Sequence, residues 1–344
     1  MLGLVVVLRA GMSLGLTGRY AIQAREVKAG INLWAADHAV DLDIIDDQGS
    51  PGRAVAAYHD LVAAGVEILL GPYGSGTVRR VAPVVCGSGR LLWNHGGAAD
   101  DLAAPLLATV IAPASTYLYS LLVLARKAGL EQVVLAPGWG PFAEQVAEGG
   151  RQAAETLGMG TRRVSADQAD ALVEGASSTR AASLAAVALV FAGIFEEDVA
   201  AVRRVREARV EVEVGLLGCV AAGIDEFGQR LGRLADGVVA PAQWCARDHP
   251  VEVGPSSPEF VRRFQWRFGR TPDYLSAQAA AAGYLAGEAA PRGYRPDEVQ
   301  RWRTDTLLGP FRLDRSWRQT GYTPVAVQWR RGRRVVAAEP PPQR

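Results

Sequence analysis

Cysteine is scarce in this sequence, and its few cysteines are far apart. The 344 residues include only Cys86, Cys219 and Cys245, without a Cys-x-x-Cys pair. A thiolate zinc site needs closely spaced cysteines, so we expect no bound metal, and a disulfide framework is excluded. Cys219 and Cys245 could still form one bridge in an oxidising compartment, whereas the odd count also suits buried, reduced thiols.

Long hydrophobic runs and a basic excess are also missing. No segment approaches the roughly 20 consecutive apolar residues that a membrane-spanning helix requires, so we expect no membrane span. Lysine and arginine total 37 against 36 acidic residues, which gives a net charge of +1. Binding to nucleic-acid phosphates requires a clear positive excess, and we therefore expect no nucleic-acid partner.

The apolar run at 2–8 is a poor match to a signal peptide. No basic segment precedes it, and Arg9 ends it without a clear cleavage site. We therefore expect either a periplasmic or surface-anchored protein whose leader is not visible, or a cytoplasmic protein if this start is genuine.

Hydrophobic residues, 49% of the chain, occur in short runs that alternate with helical stretches. This order predicts an α/β fold with parallel sheets covered by helices on both faces. The length exceeds one ordinary domain, and the βα series breaks near residue 112 and then starts again. We therefore predict two doubly wound, Rossmann-like lobes. Among the individual elements are a first strand over 12–16, a helix over 170–180, a helix over 257–268 and antiparallel strands within 309–336.

Four turns at the ends of the predicted strands have ligand-binding character. Ligands of open α/β sheets bind beyond the carboxyl ends of the strands, which here means the turns at 17–20, 71–77, 94–98 and 138–142. The glycines of 71–77 expose backbone amides at the start of a helix, where a carboxylate gains from free N–H groups and from the Ser75 hydroxyl. The alternative is that Ser75 or the nearby threonine only caps this helix.

Aromatic side chains gather at the same turns. One aromatic residue alone would be read as core, but several at strand ends favour an apolar ligand cleft. The predicted ligand-binding aromatics are Tyr20, Tyr73, Trp93, Trp139, Phe142 and Phe195, and the backbone turns add Gly74, Ser75 and Asn94.

No catalytic constellation stands out, and we expect neither enzymatic activity nor a cofactor. Ser75 lacks the nucleophile elbow, because Tyr73 occupies the position of the required glycine. A remote alternative is an NAD(P)-dependent enzyme, since 138–143 matches the dinucleotide fingerprint Gly-x-Gly-x-x-Ala. Bulky Pro141 and Phe142 occupy its phosphate turn, which argues against that alternative.

A series of short motifs, from about residue 12 to 336, resembles a known family in order and spacing. The chain resembles the periplasmic solute-binding proteins of the leucine/isoleucine/valine-binding type, the extracytoplasmic receptors of branched-chain amino acid ABC transporters. The motifs are Leu16-Thr17-Gly18, Asp46-Asp47 with Pro51, Gly71-Pro72-x-x-Ser75, Ala82-Pro83-Val84, Phe268-Gly269-x-x-Pro272, and Gly309-Pro310-Phe311 with Asp314.

The resemblance implies the type I periplasmic binding fold, in which two lobes joined by three crossings close around a small ligand. We expect one lobe over 1–114 and 248–308, and the other over 115–247 and 309–344. The implied partner is an ABC permease of the branched-chain amino acid type. A cytoplasmic ligand sensor with the same lobes is the alternative.

The resemblance also implies roles for individual residues. The turns at Ser75 and at 96–98 would hold a ligand carboxylate, with Gly96 acting through its backbone, while Ala98 stands where a threonine hydroxyl is usual. Phe195 stands near the place of a tyrosine that contacts the ligand ammonium, and Val220 near that of an acid that pairs with it.

The resemblance therefore implies that apolar side chains, Phe195 and Val220, replace both ammonium partners. A buried ammonium without a partner is costly, so we expect an amino acid or a related small carboxylate with an apolar or aromatic body, and poor binding of the amine unless another acid replaces the lost one. Nearby candidates are Glu196, Glu197 and Asp225.

Overall fold

The chain divides into two compact units, seen here in a computed structural model that describes residues 8–165, 186–207 and 214–338. The first unit combines Met1–Ala112 with Ala246–Tyr322, and the second combines Pro113–Cys245 with Thr323–Arg344. The predicted helix over 170–180 lies outside the described residues.

Strands and helices alternate along most of the described chain. The strands are β1 (Arg9–Leu14), β2 (Asp41–Asp46), β3 (Ile68–Leu70), β4 (Leu92–Asn94), β5 (Leu107–Thr109), β6 (Gln132–Pro137), β7 (Gly160–Arg163), β8 (Val187–Ala192), β9 (Leu216–Cys219), β10 (Val239–Ala242), β11 (Arg303–Thr306), β12 (Gly309–Arg312), β13 (Val325–Arg330) and β14 (Arg333–Ala338). The α-helices are α1 (Ala21–Asp37), α2 (Pro51–Ala63), α3 (Ser75–Gly87), α4 (Tyr119–Lys127), α5 (Pro141–Thr156), α6 (Phe195–Glu207), α7 (Asp225–Leu231), α8 (Ser257–Phe268), α9 (Tyr274–Ala289) and α10 (Pro296–Arg301). Among the helices of the described residues, none combines the length and the apolar character that a membrane span requires.

The first unit contains a parallel sheet in the order β2-β1-β3-β4-β5. Leu69 and Leu92 belong to a buried cluster with residues of α2 and α3. Successive side chains of a strand point to opposite faces, so the buried neighbours Leu70 and Trp93 face away from that cluster. The doubly wound parallel sheet predicted from the sequence is confirmed.

Helices α1 and α9 pack against each other at close range. A Cβ added to Gly30 of α1 would overlap the carbonyl oxygen of Ser276 in α9. In return, a Cβ on Gly283 of α9 would lie 2.5 Å from Cδ2 of Trp34, which is fully buried. Gly30 thus leaves space for the backbone of α9, and Gly283 leaves space for the indole of Trp34.

The second unit contains a mixed sheet in the order β14-β13-β10-β9-β8-β6-β7. The five strands from β10 to β7 in that order pair in parallel, and β13 and β14 add an antiparallel edge. Every residue of β8 is buried, as expected of a parallel strand covered on both faces. The predicted second doubly wound lobe and the antiparallel strands near the C-terminus are therefore confirmed.

Residues 309–322 belong to the first unit, and not to the second lobe as predicted. Strand β12 within this segment pairs with β11. Beyond β12, the amide of Gln319 donates to the carbonyl oxygen of Val110 at 3.2 Å, and Thr109 donates its backbone N–H to Trp317 at 3.4 Å. These contacts join the segment to β5 and its following residues.

The first strand occupies Arg9–Leu14, not 12–16 as predicted. Parallel pairing with β2 runs from Arg9 opposite Asp41 to Leu14 opposite Asp46. Beyond it, the N–H of Leu16 donates to the carbonyl oxygen of Leu14 at 2.9 Å, and this tight turn ends the strand. Arg9, the first residue of the strand, is exposed, and the five residues after it are buried.

Candidate functional site

Two turns at the carboxyl end of the first unit's sheet are joined through their backbones. One links β3 to α3, and the other follows β4. Gly74 donates its N–H to the carbonyl oxygen of Gly96 at 2.9 Å. A Cβ on Gly96 would overlap the Pro72 carbonyl oxygen and would lie 2.7 Å from Cα of Tyr73. Only glycine at position 96 allows this approach.

Asn94, the last residue of β4, shapes the second of these turns. Its side-chain oxygen accepts from the N–H groups of Gly96 at 3.2 Å and Gly97 at 2.8 Å. Its amide nitrogen donates to the Gly97 carbonyl oxygen at 2.7 Å and to Oγ1 of Thr109 at 3.3 Å. The side chain is fully buried, so its hydrogen bonds are made inside the unit.

The start of α3 offers unused backbone donors. Gly74 precedes the helix with a φ of 94°, and no side chain caps it, so the capping role considered for Ser75 is not what the structure shows. Oγ of Ser75 instead accepts from the N–H of Ala99 at 3.1 Å, which leaves its O–H to donate elsewhere. Among the described residues, no acceptor bonds the N–H groups of Ser75 and Gly76. Helix N-termini of this kind bind carboxylates.

The turn after β1 lies beside the glycine-rich turn. The rings of Tyr20 and Tyr73 meet edge to face with centroids 5.7 Å apart. A Cβ on Gly74 would lie 3.4 Å from the ring of Tyr20. The Thr17 hydroxyl donates to the Asp46 carboxylate at 2.9 Å, which fixes the first turn against the end of β2.

Two of the predicted contacts in this unit are interior residues. Trp93 is 3% exposed, and its ring centroid lies 6.5 Å from that of Phe311. Ala98 is also buried and directly precedes Ala99, the residue bonded to Ser75. The structure thus brings together Tyr20, Tyr73, Gly74, Ser75 and Gly96 at one edge, with Trp93 packed into the unit beneath.

His95 lies between the two turn residues Asn94 and Gly96 and is fully buried. Neither ring nitrogen has a hydrogen-bond partner among the residues that the structure describes. Burial disfavours the charged imidazolium and lowers the pKa of His95 to about 4. The side chain is therefore neutral at neutral pH.

We expect protonation of His95 to destabilise the fold. An unfolded chain binds this proton with a pKa near 6.5 and the folded chain with one of about 4, so stability rises with pH across this window and is lost as the pH falls through it. Unfolding experiments from pH 7 to pH 4 should show a loss on the order of 3 kcal/mol from this residue. His95→Leu should remove that part of the slope, and identical slopes in both proteins would contradict the assignment.

A carboxylate occupies the corresponding edge of the second unit. Oε2 of Glu197, in the first turn of α6, accepts from the backbone N–H groups of Trp139 at 3.3 Å and Ile194 at 3.2 Å. A Cβ on Gly138 would overlap this carboxylate, and one on Gly193 would lie 2.8 Å from Oε2. Glu197 therefore joins the turns after β6 and β8, and Gly138 and Gly193 leave space for its carboxylate.

Asp198 joins the turns after β8 and β9. Its two carboxylate oxygens accept from the N–H groups of Gly193 at 2.7 Å and Ala221 at 2.9 Å. Burial raises the pKa of Asp198 to about 7. Asp198 is not among the residues predicted from the sequence. It precedes Val202 and Val205 on the buried face of α6, and an acid at such spacing indicates a buried role.

The aromatic residues predicted in the second unit have different surroundings. Trp139 is 83% exposed, whereas the ring of Phe142 meets that of Tyr117 edge to face at 5.6 Å. The guanidinium of Arg230 lies 5.9 Å from the centroid of the Phe195 ring. Val220 directly precedes Ala221, the residue bonded to Asp198, so all four predicted positions are in or beside the turns at this edge.

Solved structures with the same fold extend over nearly the whole chain. A leucine-binding protein from Thermotoga maritima has a TM-score of 0.81 at 16% identity, over 96% of this chain and 97% of that one. A branched-chain amino acid substrate-binding protein from Streptococcus pneumoniae, solved with isoleucine, has a TM-score of 0.77 at 16% identity, over 95% and 97%. An ABC transporter solute-binding protein from R. palustris, solved with benzoate, has a TM-score of 0.71 at 17% identity, over 98% of both chains.

Sequence comparison identifies the family to which the chain belongs. A search among curated proteins finds no match. The sequence model of the family described as periplasmic binding protein matches residues 7–301. That match covers most of the chain, and both units have the folds of the solved relatives. The chain therefore belongs to the periplasmic binding protein family.

Proposed function

We propose that the chain is the extracytoplasmic solute-binding receptor of an ABC importer and that its ligand is an amino acid or a related small carboxylate. The observation that carries this proposal is the start of α3, where the N–H groups of Ser75 and Gly76 have no acceptor among the described residues. Leucine, isoleucine and benzoate, the ligands named for the solved relatives, share a carboxylate. A helix N-terminus favours that group.

In this proposal the receptor acts by closing its two units on the ligand and presenting it to a permease of the branched-chain amino acid type. It functions in the periplasm or anchored at the cell surface, and it performs no chemistry on its ligand. The family membership supports this role. The turns at the carboxyl end of each unit's sheet supply the ligand contacts, as expected for open α/β sheets.

A thermal-shift screen tests the receptor role. A ligand present at about 100 times its Kd stabilises the folded protein by about 2.7 kcal/mol through mass action. The screen should contain branched-chain and aromatic amino acids, their 2-oxo analogues and benzoates. At least one carboxylate should raise the Tm and be recovered unchanged, whereas its conversion to a product would contradict a receptor-only function.

We expect Ser75→Ala to weaken binding of the best carboxylate by about ten- to a hundredfold. The substitution removes the hydroxyl donor, and a hydrogen bond to a charged group contributes about 1.5–3 kcal/mol. Isothermal titration calorimetry measures the change. Ser88→Ala is the matched control, because Ser88 lies at the opposite end of α3 and its hydroxyl donates to the Val85 carbonyl oxygen at 2.7 Å.

Ser88→Ala should leave the affinity within twofold of the wild type. An effect of less than twofold for Ser75→Ala as well would show that the carboxylate is not held at the start of α3.

A further inference from the structure

The second unit contains a cavity of about 450 Å³ at the edge of its sheet where the parallel strands begin. The first residues of β9 and β10, Leu216 and Val239, line this cavity together with the C-terminal ends of α4 and α6. The turns after β6, β8 and β9 lie at the opposite edge of the same sheet. Cavities of this volume hold small organic molecules, so the second unit has space for a ligand away from those turns.

Apolar side chains form one part of the cavity lining. Leu124 of α4 is half-buried, and Val205 of α6 is buried, as are the two strand residues Leu216 and Val239. Ala128, which directly follows α4, also lines the cavity and is exposed. All of these residues belong to the second unit. Walls of this kind favour the apolar body of a ligand, because its burial removes apolar surface from water.

Two arginines form the charged part of the lining. Arg206 lies in the last turn of α6, and Arg330 is the last residue of β13. Among the described residues, neither guanidinium has a carboxylate at ion-pair distance, whereas Arg203 and Arg230 of the same unit both do. Partial burial lowers the pKa of Arg206, and the charge of Asp236 offsets this effect only in part. An anion beside the two arginines would supply a countercharge through charge-assisted hydrogen bonds.

Both guanidiniums are held in place by contacts to one short turn before β10. Nη2 of Arg206 donates to the carbonyl oxygen of Asp236 at 2.9 Å. Nε of Arg330 donates to Oε1 of Gln328 at 2.9 Å, and Nε2 of this glutamine donates to the carbonyl oxygen of Gly237 at 3.1 Å. A guanidinium has five N–H donors, and each of the two uses one in these bonds, so further donors remain for an anion.

We propose that this cavity is a second binding site, for a small organic anion with an apolar body, and that the charged head of the anion pairs with Arg206 and Arg330. The guanidiniums select the charge, and the walls from α4, β9 and β10 hold the body. Octanoate represents this class of ligand, since it combines a carboxylate with an apolar chain. The site is independent of the proposed receptor function, because it lies within the second unit, at the opposite edge of the sheet from that unit's turns.

Two fluorescent probes that differ only in charge test the site. Anilinonaphthalene sulfonate is an anion with an apolar body, and phenylnaphthylamine is the same molecule without the sulfonate. The wild type should bind the sulfonate probe, and octanoate should displace it. Arg206→Gln and Arg330→Gln should each weaken the sulfonate probe by about tenfold or more, which corresponds to the loss of one charge-assisted hydrogen bond, and the uncharged probe by less than about twofold.

Arg151→Gln is the matched control for charge. It also removes one positive charge from the second unit, but this guanidinium pairs with Glu148 at 2.8 Å and with Glu155 at 3.1 Å, so the affinities of both probes should stay unchanged. Ala128→Trp is the matched control for space. It places an indole at the cavity from an exposed position, where the fold tolerates it, and should weaken both probes.

Thermal unfolding of each variant shows that the loss of probe binding is not a loss of folding. Failure of the sulfonate probe to bind, or wild-type affinity for it in both Arg206→Gln and Arg330→Gln, would overturn the second site. A loss of the sulfonate probe in Ser75→Ala as large as in the arginine variants would also overturn it, because the probe would then bind at the start of α3. None of these outcomes bears on the receptor function, which the carboxylate screen tests separately.

Discussion

Trp34→Ala is expected to lower the free energy of unfolding of the first unit by about 3–5 kcal/mol, the usual range for removing a large aromatic side chain from a core. Trp34 is fully buried, and the glycines of α9 at 283 and 287 lie against its indole. The indole N–H has no acceptor among the described residues, so the loss comes from packing and not from a hydrogen bond. The substitution would leave a cavity between α1 and α9.

Differential scanning calorimetry should show the Tm of this unit falling by roughly 10 °C, given a shift of about 2–4 °C per kcal/mol for a domain of this size. Trp266→Ala is the control, because this indole on α8 is 86% exposed and its removal should change stability by less than about 0.5 kcal/mol. Equal shifts for the two variants would contradict the packing described for α1 and α9.

Gly96→Ala is expected to reduce ligand affinity by at least about a hundredfold, which corresponds to about 2.7 kcal/mol or more. The added Cβ cannot coexist with the Pro72 carbonyl oxygen, so the two turns must separate. That movement breaks the bond from the Gly74 N–H to the Gly96 carbonyl oxygen and displaces the start of α3. The amides that would hold a carboxylate then lose their common direction.

The variant is titrated with the best carboxylate in a calorimeter, and its thermal unfolding is measured as well. Together the two measurements distinguish a loss of binding from a loss of folding. Gly87→Ala provides the comparison, since a Cβ at this last residue of α3 meets nothing within 4 Å. Alanine there should leave binding unchanged and stabilise slightly, because it restricts the unfolded chain. Wild-type affinity in Gly96→Ala would show that the joined turns are not part of the binding site.

Sequence patterns predicted an element correctly where its capping residues and its apolar pattern agree with its burial in the fold. Helix α8 occupies the predicted residues because Ser256 accepts from the N–H of Glu259 at its start and Gly269 adopts a left-handed conformation at its end. Strand β8 is an uninterrupted apolar run with every residue buried, as suits a strand covered on both faces.

The structure departs from the predictions where contacts join distant parts of the chain. Trp93 looked like a ligand contact because it stands near a strand end, but side-chain alternation directs it toward Phe311, more than 200 residues away. The neutralisation of Glu196 depends on Arg230, and that of Asp225 on Arg334. No local pattern reveals which distant arginine pairs with each of these acids.

The carboxylate of Asp198 limits how the second unit of this protein can be redesigned. Because it bonds the backbone of Gly193 and of Ala221 together, the turns after β8 and β9 are not independent modules. Exchanging either turn for that of a relative with another specificity would leave a buried acid or a buried amide without its partner. A graft at this edge must therefore transfer both turns together with Asp198.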